Sequence, residues 1–263
     1  MTQTVNSILS SADYFVLMLF RVSGLIFPSP IFGRINIPQM AKIGLIAALT
    51  YLAFTIFPQT VAIEYSTLFG FVVICLGELL LGIALAFVTN LFFTLTFTAG
   101  HVIDQQIGFG IVNVYDIQNN TQIPMIGNLL NLVLLIVFFA VDGHQQLIAI
   151  IYRTIEIIPV GTLGFTPNIG LAALEIFSRA FLLGLMVALP VLASGLILEI
   201  AFGVMMRAVP QIHMFVVGIP IKMIVGLIVL TFMLPIFVTF SRVIFEEMFA
   251  ALEKIFAAFM EVP

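Results

Sequence analysis

Several of the charged residues that could do chemistry in this sequence stand inside long apolar runs, where each is costly to keep. Glu175 and Arg179 are four apart with the acid first, the order in which a helix lets such a pair meet favourably. Arg153 and Glu156, three apart, can meet in the same way. Glu78, Glu199, Arg207 and Lys222 have no local counterpart. Each needs one from another helix, another chain or water. Glu78, Glu175, Arg179, Arg207 and Lys222 are therefore expected at contacts between helices or between subunits. A proton or ion relay would use such residues too, but it needs several acids on facing helices.

Catalytic chemistry has thin support. His101 and Asp104 are three apart, and Asp142 and His144 flank a glycine. Neither pair makes the three or four convergent ligands of a metal site. No nucleophile elbow, Walker loop or dinucleotide fingerprint occurs. No enzyme activity, metal or cofactor is expected. The single cysteine, Cys75, excludes an internal disulfide and reads as a small packing residue.

Two further patterns concern shape. In Gly108-Phe109-Gly110-Ile111-Val112-Asn113 two glycines flank a Phe, and glycine permits bends that other residues resist. The segment reads either as a re-entrant turn between helices or as a flexible apolar plug in a pore. Non-helical backbone at membrane depth is tolerated only inside protein or along a cavity. Ala180, Gly184 and Ala188 recur every fourth position, and Gly82 with Ala86 repeats that spacing. Small residues so placed let helix backbones approach closely in lipid.

The elements that must position these residues follow from hydropathy. Apolar runs cover 14–32, 43–63, 68–99, 123–141, 145–158, 171–209 and 212–240. Proline and glycine punctuate them at Pro28, Pro30, Pro58, Gly143 and Pro159. A polar stretch, 100–122, holds His101, Asp104, Asp116, Asn119 and Asn120. As one helix, 171–209 would be about 58 Å long, nearly twice the hydrocarbon thickness, so Pro190 is expected to kink it. The tail, 241–263, differs in kind. Phe245, Met248, Phe249, Leu252, Ile255, Phe256 and Phe259 recur at helical spacing between acids. It reads as an amphipathic helix that lies on the membrane surface or docks on a partner.

Composition sets the class. The 263 residues are 62% hydrophobic and 8% charged, with mean hydropathy +1.25. A soluble domain averages about 25% charged residues. The surplus apolar surface must face lipid or equally apolar protein. The reading is an all-α, polytopic membrane protein of long kinked helices and helical hairpins. The net charge is −4 and no basic run occurs, so nucleic-acid binding has no electrostatic footprint. No Lys or Arg precedes Arg21, so the first run lacks the charged start of a signal peptide and is read as retained.

Arg21, Pro28-Ser29-Pro30-Ile31-Phe32-Gly33, Ile37-Pro38 and Lys42 open an ordered series of motifs. Glu78 with Gly82, Ala99-Gly100, Asp104, Gln106, Gly108 and Asp116 continue it, followed by Gly143-His144 and Pro159. Arg207, Pro210, Gly218, Pro220, Lys222 and Gly226 close it. Together they resemble the FliR/SctT family of bacterial type III secretion export-gate subunits, over nearly the whole chain. The resemblance implies a FliP-like helical part over 1–165, including the central loop 106–122. A FliQ-like helical hairpin with an amphipathic C-terminal helix would be fused to it over 166–263. It implies a pore-forming gate built with FliP and FliQ homologues, beside FlhB-like and FlhA-like subunits, in the inner membrane at the flagellar basal body. Unfolded flagellar proteins would pass through it, and the loop around 108–120 would help plug the closed pore. The chain itself would hydrolyse nothing. An injectisome homologue of the same gate is the near alternative. A small secondary transporter is the distant one, and no internal repeat supports it.

Overall fold

The computed structural model describes residues 2–58, 63, 65, 67–109, 124–162, 168–208 and 214–259. Among them the chain forms seven helices: α1 Thr2–Ile26, α2 Gln39–Ile56, α3 Leu68–Ile107, α4 Met125–Ala140, α5 Gly143–Ile157, α6 Asn168–Ala208 and α7 Met214–Ala258. No strand occurs among the described residues.

Proline sets most of the helix ends. After Ile26 the chain meets Pro28 and Pro30, which cannot donate to a helical ladder. Pro38 precedes α2, and Ala41 N–H donates to its carbonyl at 3.0 Å. Pro124 stands in the same position before α4. α5 stops at Ile158, whose extended backbone is what a following proline demands. It starts after Asp142, the one described non-glycine residue in the left-handed region, at φ +57°. Prolines 190, 220 and 235 lie inside α6 and α7 without ending them. Such prolines are tolerated in lipid where neighbouring groups re-satisfy the freed backbone.

Four helices are long and apolar enough to cross a membrane: α2, α3, α6 and α7. α4 and α5 pass together as a broken fifth. The outward faces of α6 and α7 are apolar, with Leu174, Ile197, Phe232 and Ile236 exposed. That surface has no stable home in water, and the chain is a membrane-embedded helical protein.

Packing divides the chain into two discontinuous units. The first comprises residues 1–91, 142–177 and 247–263. Its core is made by Leu17, Met18 and Val22 of α1, Leu81 and Leu85 of α3, Leu147 and Ile151 of α5, and Met248 and Leu252 of α7. The second comprises 92–141 and 178–246. Its core centres on Phe138 of α4, whose ring meets Phe93 at 5.5 Å and Phe245 at 5.3 Å, both edge-on. Each unit draws residues from both sides of the expected boundary at 165/166. That boundary itself, within 163–167, lies outside the described residues.

Two expectations are corrected. The tail is not a separate helix, because α7 runs unbroken through Ser241 to Ala258. Its apolar face is buried within this chain: Met248, Leu252, Ile255, Phe256 and Phe259 are all enclosed. The loop expected over 106–122 starts late. α3 continues through His101, Asp104 and Gln106 to Ile107.

Candidate functional site

A heavily bonded polar group of the first unit lies between α1, α3 and the end of α5. Arg21 and Glu78 are buried, at 1% and 0% exposure, and form an ion pair at 2.5 Å between Nε and Oε2. Arg21 Nη1 donates to the carbonyls of Thr154 (2.9 Å) and Ile158 (3.0 Å). These belong to the last turn of α5, which otherwise ends with unsatisfied acceptors and a partial negative charge. Glu78 Oε1 accepts from Gly161 N–H at 2.7 Å. Gly161 has φ +91°, a conformation that favours glycine. The arrangement is a charge knot: two costly ions pair with each other and bond a helix end and a turn, while Arg21 Nη2 is left buried without a partner.

Small residues let this knot close. A methyl group added at Gly82 would lie 2.3 Å from the Arg21 carbonyl oxygen, and one at Gly24 would lie 2.4 Å from that of Leu79. α1 and α3 therefore touch backbone to backbone beside the pair. The turn after α1 is fixed by side chains as well. Asn90 donates to Pro28 O at 2.5 Å, Arg34 to Pro30 O at 2.9 Å and Lys42 to Gly33 O at 2.8 Å. Outside the helices, the exposed Tyr65 hydroxyl donates to Asp13 at 2.8 Å. That bond to a carboxylate raises the phenol above its usual range.

The second unit holds the start and end of the connection between α3 and α4. Gly108 closes α3 at φ +101°, its N–H donating to Asp104 O at 3.0 Å. Phe109 follows, half-buried. Gly110, Ile111, Val112 and Asn113 of the expected plug lie outside the described residues. At the far end Pro124 precedes α4, and Ile126 N–H donates to Asp104 Oδ1 at 3.2 Å. One turn below, a methyl group at Gly100 would fall 2.0 Å from Gly127 Cα. Lower still, Asn131 Nδ2 donates to Phe93 O (3.2 Å) and Thr96 Oγ1 (3.3 Å). α3 and α4 are thus joined at three levels below the connection.

The other expected residues are distributed as follows. Lys222 of α7 meets Glu199 of α6 at 2.5 Å. Glu175 meets Lys254 at 2.5 Å. Arg153 pairs with Glu253, a hundred residues on, where Glu156 was expected. Arg179 is exposed on α6, and Arg207 is exposed in its last turn. Ala180 and Ala188 are buried, and a methyl group added at Gly184 between them would lie 3.1 Å from the Leu95 carbonyl oxygen of α3. His101 is exposed beside Gln105, while Asp104 bonds to α4. Among the described residues no three His, Cys, Asp or Glu side chains gather as metal ligands.

Sequence reasoning missed the role of Arg21. The signal was present: one lone cation in the first apolar run and one lone anion, Glu78, in the third. Nothing in periodicity joined them across 57 residues.

Comparison with known proteins agrees with the ordered motifs. The family model described as bacterial export proteins, family 1, matches residues 12–248. The flagellar biosynthetic protein FliR of Escherichia coli K12 is 31% identical over 239 residues, covering 90% of each chain. Its namesake in Bacillus subtilis 168 is 29% identical over 92% of this chain and 94% of its own. That of Aquifex aeolicus VF5 is 26% identical over 95% and 97%. The chain belongs to the bacterial export proteins of family 1, among the relatives of the flagellar biosynthetic protein FliR.

Proposed function

We propose that this chain is a core subunit of the flagellar type III protein export gate in the bacterial inner membrane. With FliP and FliQ homologues it forms the pore through which unfolded flagellar proteins leave the cell. The observation that carries this is the end-to-end match to relatives named for flagellar biosynthesis, on a chain with four to five membrane-length apolar elements. The same flagellar names favour this reading over an injectisome gate. The exposed apolar faces of α6 and α7 support partners as well as lipid. Mild-detergent purification of the tagged chain, with mass spectrometry, tests the assembly. FliP and FliQ homologues in one large particle are expected, and a stable lone monomer would overturn the reading.

The central connection helps to plug the closed pore. Phe109, Ile111 and Val112 exclude water and ions by packing and dewetting, and glycines 108 and 110 serve as hinges. The left-handed backbone of Gly108, directly before Phe109, supports this. Substrate arriving from the cytoplasm displaces the segment. Energy comes from the cytoplasmic ATPase and the proton motive force through other subunits. Phe109→Ala, or deletion of 109–122, is expected to raise ion leakage across the membrane. Unchanged leakage in an assembled gate sinks the plug.

A further inference from the structure

We propose that Asp104 is a positioning residue that gathers both ends of the α3–α4 connection and thereby sets where Phe109 stands. The inference rests on the plug reading for its purpose, but its geometry stands alone. Asp104 is 2% exposed, one turn from the end of α3. Its main-chain oxygen takes Gly108 N–H at 3.0 Å, the last helical bond before Phe109. Its side-chain Oδ1 takes Ile126 N–H at 3.2 Å, in the first turn of α4. One residue therefore binds the chain where it leaves α3 and where it re-enters α4.

The bond fills a need that α4 cannot meet for itself. The first turn of a helix leaves four N–H groups without partners, usually capped by a Ser, Thr, Asp or Asn just before it. α4 has Pro124 there, which offers no side-chain acceptor. Asp104 supplies the missing acceptor from the neighbouring helix, and its carboxylate suits the positive end of the helix dipole. The two lower junctions, Gly100 against Gly127 and Asn131 against Phe93 and Thr96, hold the helix bodies. Among the described residues, Asp104 makes the junction at the mouth. Asp104 Oδ2 has no hydrogen-bond partner, so Oδ1 carries the contact to Ile126. An amide oxygen at the same place could replace it.

The test uses the assembled complex in native membranes, with the buried Cys75 replaced by Ala and Phe109→Cys as the reporter. A membrane-permeant maleimide reads how firmly position 109 is held. Asp104→Ala is expected to label about tenfold faster, the factor that loss of one charge-assisted hydrogen bond implies. Asp104→Asn, which keeps the acceptor, is expected to return the rate close to that of the parent. Where Asp104→Ala fails to assemble, Asp104→Glu, with its carboxylate one methylene out of place, serves the same comparison. Parental labelling in an assembled Ala or Glu variant would overturn the proposal, as would an Asn variant no better than Ala. Ion leakage, measured without the Phe109→Cys reporter, separates the two readings. Deletion of 109–122 without leakage defeats the plug alone, and parental labelling defeats the Asp104 assignment alone.

Discussion

The charge knot of the first unit and the α3–α4 neck of the second solve one problem, close helix packing in an apolar medium, by opposite means. At Arg21 and Glu78 two full charges are buried, and their bonds reach α5 and the turn at Gly161. At the neck the backbones of Gly100 and Gly127 touch with nothing between them, and the polar bonds are a single carboxylate and an amide. Burying an ion demands its counter-ion, because half a pair is worse than none. Burying glycines demands only that nothing be added. The knot therefore fails when an atom is removed, and the neck fails when one is inserted.

Mutations that break or sharpen this contrast can be ranked. Arg21→Ala should have the largest effect, about 3–5 kcal/mol, since it strands Glu78 and the α5 carbonyls in the interior. Loss of heat-stable chain in detergent-solubilised complexes would register it. The double variant Arg21→Met with Glu78→Leu sharpens the point. If it restores the parent's midpoint fully, the bonds to Thr154, Ile158 and Gly161 contribute nothing. We expect partial recovery. Gly100→Ala comes next, at about 1–3 kcal/mol, because the new methyl group must push α3 from α4. A midpoint unmoved by this change would mean that the neck has slack and that the contrast is false. Smallest is Glu253→Ala. Its pair with Arg153 is half-exposed on both sides, and such pairs contribute less than about 1 kcal/mol. A loss as large as that of Arg21→Ala would show that burial is not what distinguishes the knot.

Much of the fold was legible because lipid leaves a chain few options. A long apolar run must satisfy its own backbone, so it reads as helix. The apolar runs at 123–141, 145–158 and 171–209 return as α4, α5 and α6 with ends shifted by a few residues. Polarity misled at three places. α1 begins at Thr2, in polar sequence ahead of the apolar run at 14–32. α3 carries its polar residues because Asp104 spends its side chain on α4 rather than on water. The tail was expected on the membrane surface or on a partner, yet Glu253 and Lys254 meet Arg153 and Glu175 of the same chain. Of the site, the small residues were the most readable, since Gly82 and Gly184 are defined by what they lack. Ion-pair partners were the least readable. Arg21 to Glu78 and Arg153 to Glu253 span 57 and 100 residues, and no local rule encodes such distances.

The reach of Arg21 along the chain has a consequence for how the protein is made. Its acceptors lie 57, 133 and 137 residues further on. During synthesis α1 leaves the ribosome first and waits with its guanidinium unspent. The anion arrives with α3, and the carbonyls arrive only when α5 is complete. The knot cannot tighten until more than half of the 263 residues exist. A product truncated before Glu78 keeps a lone cation in its first helix, one truncated before Thr154 lacks the carbonyl acceptors, and both stay open to proteolysis. Closure at Arg21 thus marks a point in time, the moment at which the nascent chain can commit to its fold.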